Sequence, residues 1–252
     1  MSALFSFLYG VGAYVACLAT LLYLIGFSGN LFVPKSVDVG FAAPWLQALG
    51  TNLLLLGLFG VQHSVMARRG FKRWWTCIVP PAVERSTFVL ATCIVLALLF
   101  WFWMPITRPV VWEVDAFPAV ALLWGLFGLG WVVVLISTFF INHFELFGLQ
   151  QVYVRLTGRA MPQAKFKTPF LYRYVRHPLY VGLLLSLWSA PVMTAGHLLF
   201  ALGTSAYILV GIWFEERDLI EQFGERYLRY RDEVGMLMPR RSRSSRRGKV
   251  TM

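Results

Sequence analysis

The chain has 252 residues, of which 58% are hydrophobic, 16% aromatic and only 14% charged. A soluble domain carries roughly a quarter charged residues, so this composition argues against one and points to lipid. The formal net charge of +11 would also suit nucleic acid, but the placement of the charges argues for membrane topology instead.

Apolar runs free of Lys, Arg, Asp and Glu cover about 5–27, 45–66, 87–104, 117–140, 179–195 and 197–214. A helix needs roughly 17–25 residues to cross a bilayer. The first four runs meet that length alone; the last two form a tight helical hairpin turning near Gly196, just after Pro191. The expected fold is all-α: a polytopic membrane helical bundle of six spans, with five spans and a re-entrant element as the alternative. No Lys or Arg precedes the first run, so it lacks the positive region of a secretory leader and is expected to be a retained span.

Along the chain, the second run closes on Gln62-His63-Ser64-Val65-Met66-Ala67-Arg68. Trp74 and Trp75 stand beside Lys72 and Arg73, as interfacial anchors do. Cys17, Cys77 and Cys93 show no CxxC and no metal-ligand spacing, and are expected to be small packing residues. The fourth run leads into Asn142-His143-Phe144-Glu145-Leu146-Phe147-Gly148-Leu149-Gln150-Gln151.

The densest constellation begins at Tyr172-Arg173-Tyr174-Val175-Arg176-His177-Pro178-Leu179-Tyr180-Val181-Gly182 and resumes after the hairpin at Trp213-Phe214-Glu215-Glu216-Arg217-Asp218. Two antiparallel spans return the chain to its starting face, so His177 and the glutamate pair meet at one interface. Pro178 suits the first turn of a helix, and Gly182 permits close approach by a backbone or a ligand. Leu219, Ile220, Phe223, Tyr227 and Tyr230 then recur at helical spacing, which predicts an amphipathic helix over the hairpin mouth. The last stretch, Arg240 to Lys249, is basic and of low complexity; disorder is expected there, with anionic headgroups as a natural resting place.

With six spans, one side holds both termini and the loops 67–86 and 141–178, and with them 21 of the 23 Lys and Arg residues; only Lys35 and Arg108 fall opposite. The positive-inside rule places both termini and the site in the cytoplasm. The expected organisation is a four-span region over 1–140, a region with the hairpin and the dense constellation over 141–239, and a basic tail over 240–252.

Arg176-His177-Pro178-Leu179-Tyr180-Val181-Gly182 followed by Glu215-Glu216 resembles the cofactor signature of the isoprenylcysteine carboxyl methyltransferase superfamily. The resemblance implies that S-adenosylmethionine binds at the hairpin mouth. Arg176 or His177 suits its carboxylate, and Glu215 or Glu216 its ammonium or ribose hydroxyls. Tyr180, Tyr227 or Tyr230 can stack on adenine or face the sulfonium. The Gln62-His63-Ser64 stretch, the Asn142–Gln151 stretch and the extra N-terminal spans resemble the bacterial methanethiol S-methyltransferases, a family that makes dimethyl sulfide from methanethiol. A thiol reacts as its thiolate, so a base would help, and the candidates are His143, Glu145 and His63. His197, beside the distal turn, has no expected role. Other readings of the same residues are a prenylcysteine carboxylate or phospholipid acceptor, a sterol-reductase-like protein, and a haem-associated membrane protein.

Overall fold

The computed structural model describes residues 1–162 and 166–240; the expected basic tail lies outside the described residues beyond Arg240. Helix α1 (Ala3–Gly29) starts where the Ser2 hydroxyl accepts from the Phe5 N–H at 3.2 Å, a side-chain N-cap. Helix α2 (Trp45–Ala67) stops where Arg68 turns extended, and α3 (Arg69–Trp75) carries Trp74, which is exposed. Helix α4 (Pro81–Phe102) begins six residues before its charge-free run, because Pro81 is well placed in a first turn and Glu84 and Arg85 do not interrupt a helix. Strand β1 (Val110–Glu113) leads to α5 (Phe117–Ile141), then α6 (His143–Leu146), α7 (Leu149–Thr157) and a 3-10 turn (Phe170–Arg173). The chain closes with α8 (Pro178–Trp188), β2 (Val192–Thr194), α9 (Ala195–Phe223) and α10 (Glu225–Glu233).

Five of these helices, α1, α2, α4, α5 and α9, are long and apolar enough to cross a membrane. Their large side chains face outward, as Leu22, Leu54 and Leu122 do, an arrangement that lipid tolerates and water does not. Helices also satisfy their backbone hydrogen bonds internally, which the hydrocarbon demands. The chain is a multi-pass membrane protein.

The sixth crossing differs from the expected helical hairpin. Helix α8 has only 11 residues and rises about 16 Å, roughly half a hydrocarbon core. The rest of the distance is covered by extended chain, and β2 pairs antiparallel with β1 in the far-face loop between α4 and α5. Trp112 Nε1 donates to the Ala190 carbonyl at 3.0 Å and Val114 N–H to that of Pro191 at 3.0 Å, so the non-helical backbone is not left unpaired. Gly196 is no turn; it sits inside the first turn of α9, where a Cβ would stand 2.8 Å from Ile106 N. Nor do the two arms pack chiefly on each other. Helix α8 lies along α5, where Gly130 and Gly182 face one another: a Cβ on either would meet the other's carbonyl oxygen at 2.6 Å. Small residues at such a crossing let two helices approach within van der Waals contact.

The far face is tied by a polar network. Asp38 accepts from Asn30 Nδ2 at 2.7 Å and from the Thr194 hydroxyl, and its Oδ2 lies 3.5 Å from His197 Nδ1. Burial works to raise the Asp38 carboxyl, but His197, Thr194 and Asn30 outweigh it and hold the group below its ordinary value. The loop after α1 is thereby fastened to the start of α9. Asn52, fully buried in α2, donates to the Met104 carbonyl at 2.8 Å and accepts from its N–H at 3.0 Å, which satisfies the backbone just past α4. Cys17 and Cys93 are buried together, whereas Cys77 is exposed at the end of α3 rather than packed.

The expected separate amphipathic helix is also revised. Helix α9 runs unbroken through both glutamates to Phe223, because nothing in 215–223 opposes a helix. Gly224, at φ 54°, then turns the chain into α10.

Candidate functional site

On the basic face, three elements converge. Helix α8 opens there with Pro178 in its first turn and His177 as its N-cap. Helix α9 brings Glu215 and Glu216 back to the same level. The segment after α10 returns beneath them: Arg176 N–H donates to the Gly235 carbonyl at 2.9 Å and His177 N–H to that of Met236 at 3.2 Å. These backbone bonds fix the two side chains that precede Pro178.

Glu216 is the centre of the cluster. Its Oε1 accepts from Arg176 Nε at 2.7 Å, lies 2.7 Å from Arg176 Nη2 and accepts from His177 Nε2 at 3.1 Å. A carboxylate is an acceptor only, so His177 carries a proton on Nε2. The remaining Arg176 nitrogen, Nη1, donates to the carbonyls of Arg231 at 3.0 Å and Val234 at 2.5 Å, the end of α10. The guanidinium is thus spent within the protein. The side chains of Arg176 and Glu216 are 9% and 15% exposed, whereas that of Glu215 is 43% exposed. Glu215 Oε2 accepts from the Tyr180 hydroxyl at 3.0 Å and lies 3.8 Å from His177 Nδ1. Of the two carboxylates, Glu216 organises the site and Glu215 faces outward with acceptor capacity to spare.

Aromatic side chains wall this cluster. Tyr230 donates to the Tyr172 carbonyl at 2.5 Å, and Tyr227 is fully buried, edge-on to Phe166 with ring centroids 6.0 Å apart. The Tyr227 hydroxyl has no hydrogen-bond partner among the described residues. Burial pushes the Tyr230 hydroxyl up to about 12; Arg176 opposes the shift and Glu216 adds to it. Burial also raises Tyr227 and Tyr172, with nearby carboxylates adding to it. All three tyrosines are neutral hydrogen-bonding groups at neutral pH. Gly182, expected near the cofactor, is buried one turn into α8 against α5.

Of the three candidate bases, His143 and Glu145 share α6 and His63 lies in α2. Thr138 Oγ1 donates to the Leu135 carbonyl at 2.7 Å, so it accepts from His143 Nδ1–H at 2.8 Å. His143 Nε2 then accepts from the Tyr14 hydroxyl at 2.7 Å. Both ring nitrogens are engaged, and the ring stacks on Phe139 with centroids 4.2 Å apart. Burial holds His143 below its ordinary value. Glu145 accepts from Asn142 Nδ2 at 2.7 Å, and Asn142 also bonds Gln150. His143 and Glu145 therefore pin the turn after α5 to α1 and α7. His63 bonds Thr92 through Nδ1 at 3.2 Å and stands beside Tyr207, with ring centroids 6.1 Å apart.

Sequence reasoning missed Tyr14 and Tyr207. Tyr207 stands two helical turns before Glu215 on the same face of α9, a spacing visible in the sequence. Tyr14 had no such signal, since its partner is 129 residues away.

Residues 118–226 match the family model described as phospholipid methyltransferase, a stretch from the start of α5 into α10 that contains the whole His177–Glu216 cluster. The methanethiol S-methyltransferase of Mycobacterium tuberculosis is 52% identical over 95% of this chain and 98% of its own length. Methanethiol S-methyltransferase 1 of Bradyrhizobium diazoefficiens is 54% identical over 93% of this chain and 82% of its own length. Nurim of Sus scrofa is 32% identical over 78% of this chain and 79% of its own length. No solved structure matches the chain.

Proposed function

The chain belongs to the methanethiol S-methyltransferase family, and from that premise we propose that it transfers a methyl group from S-adenosylmethionine to methanethiol, yielding dimethyl sulfide. The observation that carries this reading is the division of labour between the paired carboxylates: Glu216 is locked to Arg176 and His177, while Glu215 is left half-exposed beside the Tyr180 hydroxyl.

The residues present fit such a donor. An exposed carboxylate within a rim of tyrosines suits a ligand that carries an ammonium, ribose hydroxyls and a sulfonium, and aromatic faces attract such cations by about 0.5–2 kcal/mol. S-adenosylmethionine, when bound, supplies an activated methyl group. The chain's own residues bind and orient. Glu215 and Tyr180 are the groups that touch the donor. Arg176, His177 and Glu216 hold them in place, and Gly182 seats α8 against α5 behind them. Tyr227 and Tyr230 close the side of the site and keep water out. Once the acceptor is a thiolate, methyl transfer between two sulfurs needs chiefly alignment and exclusion of water, and alignment alone is worth up to roughly 7–11 kcal/mol.

The site and both termini are assigned to the cytoplasm. The support is the charge asymmetry: α3, α7, α10 and the segments that flank them carry the basic residues of the face that holds the cluster, and Lys35 and Arg108 lie on the opposite one. Membrane lipid surrounds the bundle, and a small apolar thiol can reach the site through it.

Headspace gas chromatography tests the reading. Purified, detergent-solubilised protein given S-adenosylmethionine and methanethiol is expected to release dimethyl sulfide above a no-enzyme blank. Bound donor without dimethyl sulfide would shift the acceptor to a lipid or prenylcysteine, and failure to bind the donor would refute the reading.

A further inference from the structure

We infer that the donor site continues into the membrane as an acceptor pocket along one stripe of α9, where His63 takes the thiol proton. The inference rests on the methyltransferase reading above.

Tyr207, Gly211 and Glu215 fall four residues apart and share one face of α9. At the outer end, Glu215 accepts from the Tyr180 hydroxyl. One turn deeper, a Cβ on Gly211 would come into ordinary contact with that same hydroxyl at 3.9 Å, so the missing side chain leaves a gap of about methyl size under the donor site. Tyr207 forms the floor, and α2 lies across from it: Gly60 admits the Tyr207 ring, and His63 meets that ring edge-on with centroids 6.1 Å apart. The gap therefore lies between the group assigned to the donor and the imidazole.

The hydrogen bonding of His63 sets its tautomer. Thr92 Oγ1 already donates to the Phe88 carbonyl at 3.0 Å, so at 3.2 Å it accepts from His63 Nδ1–H. The lone pair is left on Nε2, which bonds no protein group among the described residues and is not sealed in the interior. His143 has no such freedom, since both its nitrogens are engaged. A half-buried imidazole lined by Phe88 and Tyr207 offers one acceptor in apolar surroundings. That matches a ligand with one acidic S–H and a methyl group. The acceptor's S–H bond breaks and its proton moves to His63 Nε2. The sulfur pair forms the new S–CH3 bond while the donor's S–CH3 bond breaks, its electron pair staying on the donor sulfur. The imidazolium then releases the proton to water.

The test uses the full-length protein and His63→Asn, whose amide retains the donor to Thr92 but has nothing at the Nε2 position. Wild type and variant are compared for S-adenosylmethionine binding by calorimetry, and for methylation of methanethiol and of the more acidic 2,2,2-trifluoroethanethiol. The variant is expected to bind the donor normally and to lose about 100-fold or more in methanethiol turnover, the usual share of a general base, with a much smaller loss for the acidic thiol. Independently of turnover, the histidine carbon resonance missing from His63→Asn is expected to shift when methanethiol alone is added to labelled wild type. Equal losses for both thiols with donor binding intact, or no shift of that resonance, would overturn the role of His63. A variant that fails to fold is replaced by His63→Gln, read the same way. A wild type that methylates neither thiol would instead refute the proposed function.

Discussion

His177 and Glu216, 39 residues apart in the chain, meet at 3.1 Å between Nε2 and Oε1, and the same oxygen also accepts from Arg176. One carboxylate thus closes the crossing of α8 against α9 and anchors the end of α10 through the Arg176 bonds to Arg231 and Val234. Position and stability are joined at this atom.

Glu216→Ala leaves a buried guanidinium without its counter-charge. Removing one partner of such a pair costs about 3–5 kcal/mol. The variant is expected to unfold at a clearly lower temperature in detergent and to bind no S-adenosylmethionine; unchanged melting would show that the pair holds nothing together.

Glu215→Gln should separate binding from folding. Glu215 is half-exposed, accepts from the Tyr180 hydroxyl and lies no nearer than 3.8 Å to His177 Nδ1, so melting should be largely preserved. Losing a charged hydrogen-bonding group costs about 1.5–3 kcal/mol, so calorimetry should show donor affinity down by roughly tenfold or more. Unchanged affinity would remove Glu215 from the donor site.

Gly182→Val places a side chain where even a Cβ would stand 2.6 Å from the Gly130 carbonyl. The two nearest atoms, the Gly130 carbonyl oxygen and the Val134 nitrogen, are backbone and cannot swing aside, and overpacking costs about 1–3 kcal/mol. Reduced thermal stability is expected, and Ala at Gly12, where a Cβ meets nothing, serves as the neutral control.

His143 predicts a pH dependence of stability. Burial lowers its folded value below the ordinary 6.5, so between the two values the unfolded chain binds more protons. Its contribution is complete above about pH 6.5 and is lost as the pH falls toward the folded value. Melting of wild type should fall more steeply from pH 7.5 to 5.5 than melting of His143→Gln; parallel curves would contradict the assignment of a neutral, doubly bonded ring.

The long spans were legible because lipid permits few alternatives: α1, α2 and α5 begin and end within a few residues of their apolar runs. The sixth crossing was not, since apolar composition does not distinguish a helix from the extended chain of 189–194, and the partner strand β1 is about 80 residues away. The meeting of His177 with the glutamate pair was legible from motif and topology. The division of roles between Glu215 and Glu216 was not, because it depends on which carboxylate the Arg176 guanidinium reaches. Likewise His143 and His63 look alike in sequence; Tyr14 and Thr138 occupy both nitrogens of the first, while Thr92 takes only one of the second.

The central claim, methyl transfer at the Glu216-centred cluster, is tested most directly with S-adenosylmethionine bearing a trideuterated methyl group. Wild-type protein given this donor and methanethiol should release dimethyl sulfide carrying one deuterated methyl, detected by mass spectrometry of the headspace, and Glu216→Ala should release none. Unlabelled dimethyl sulfide from wild type, or labelled product from Glu216→Ala at the wild-type rate, would contradict the account.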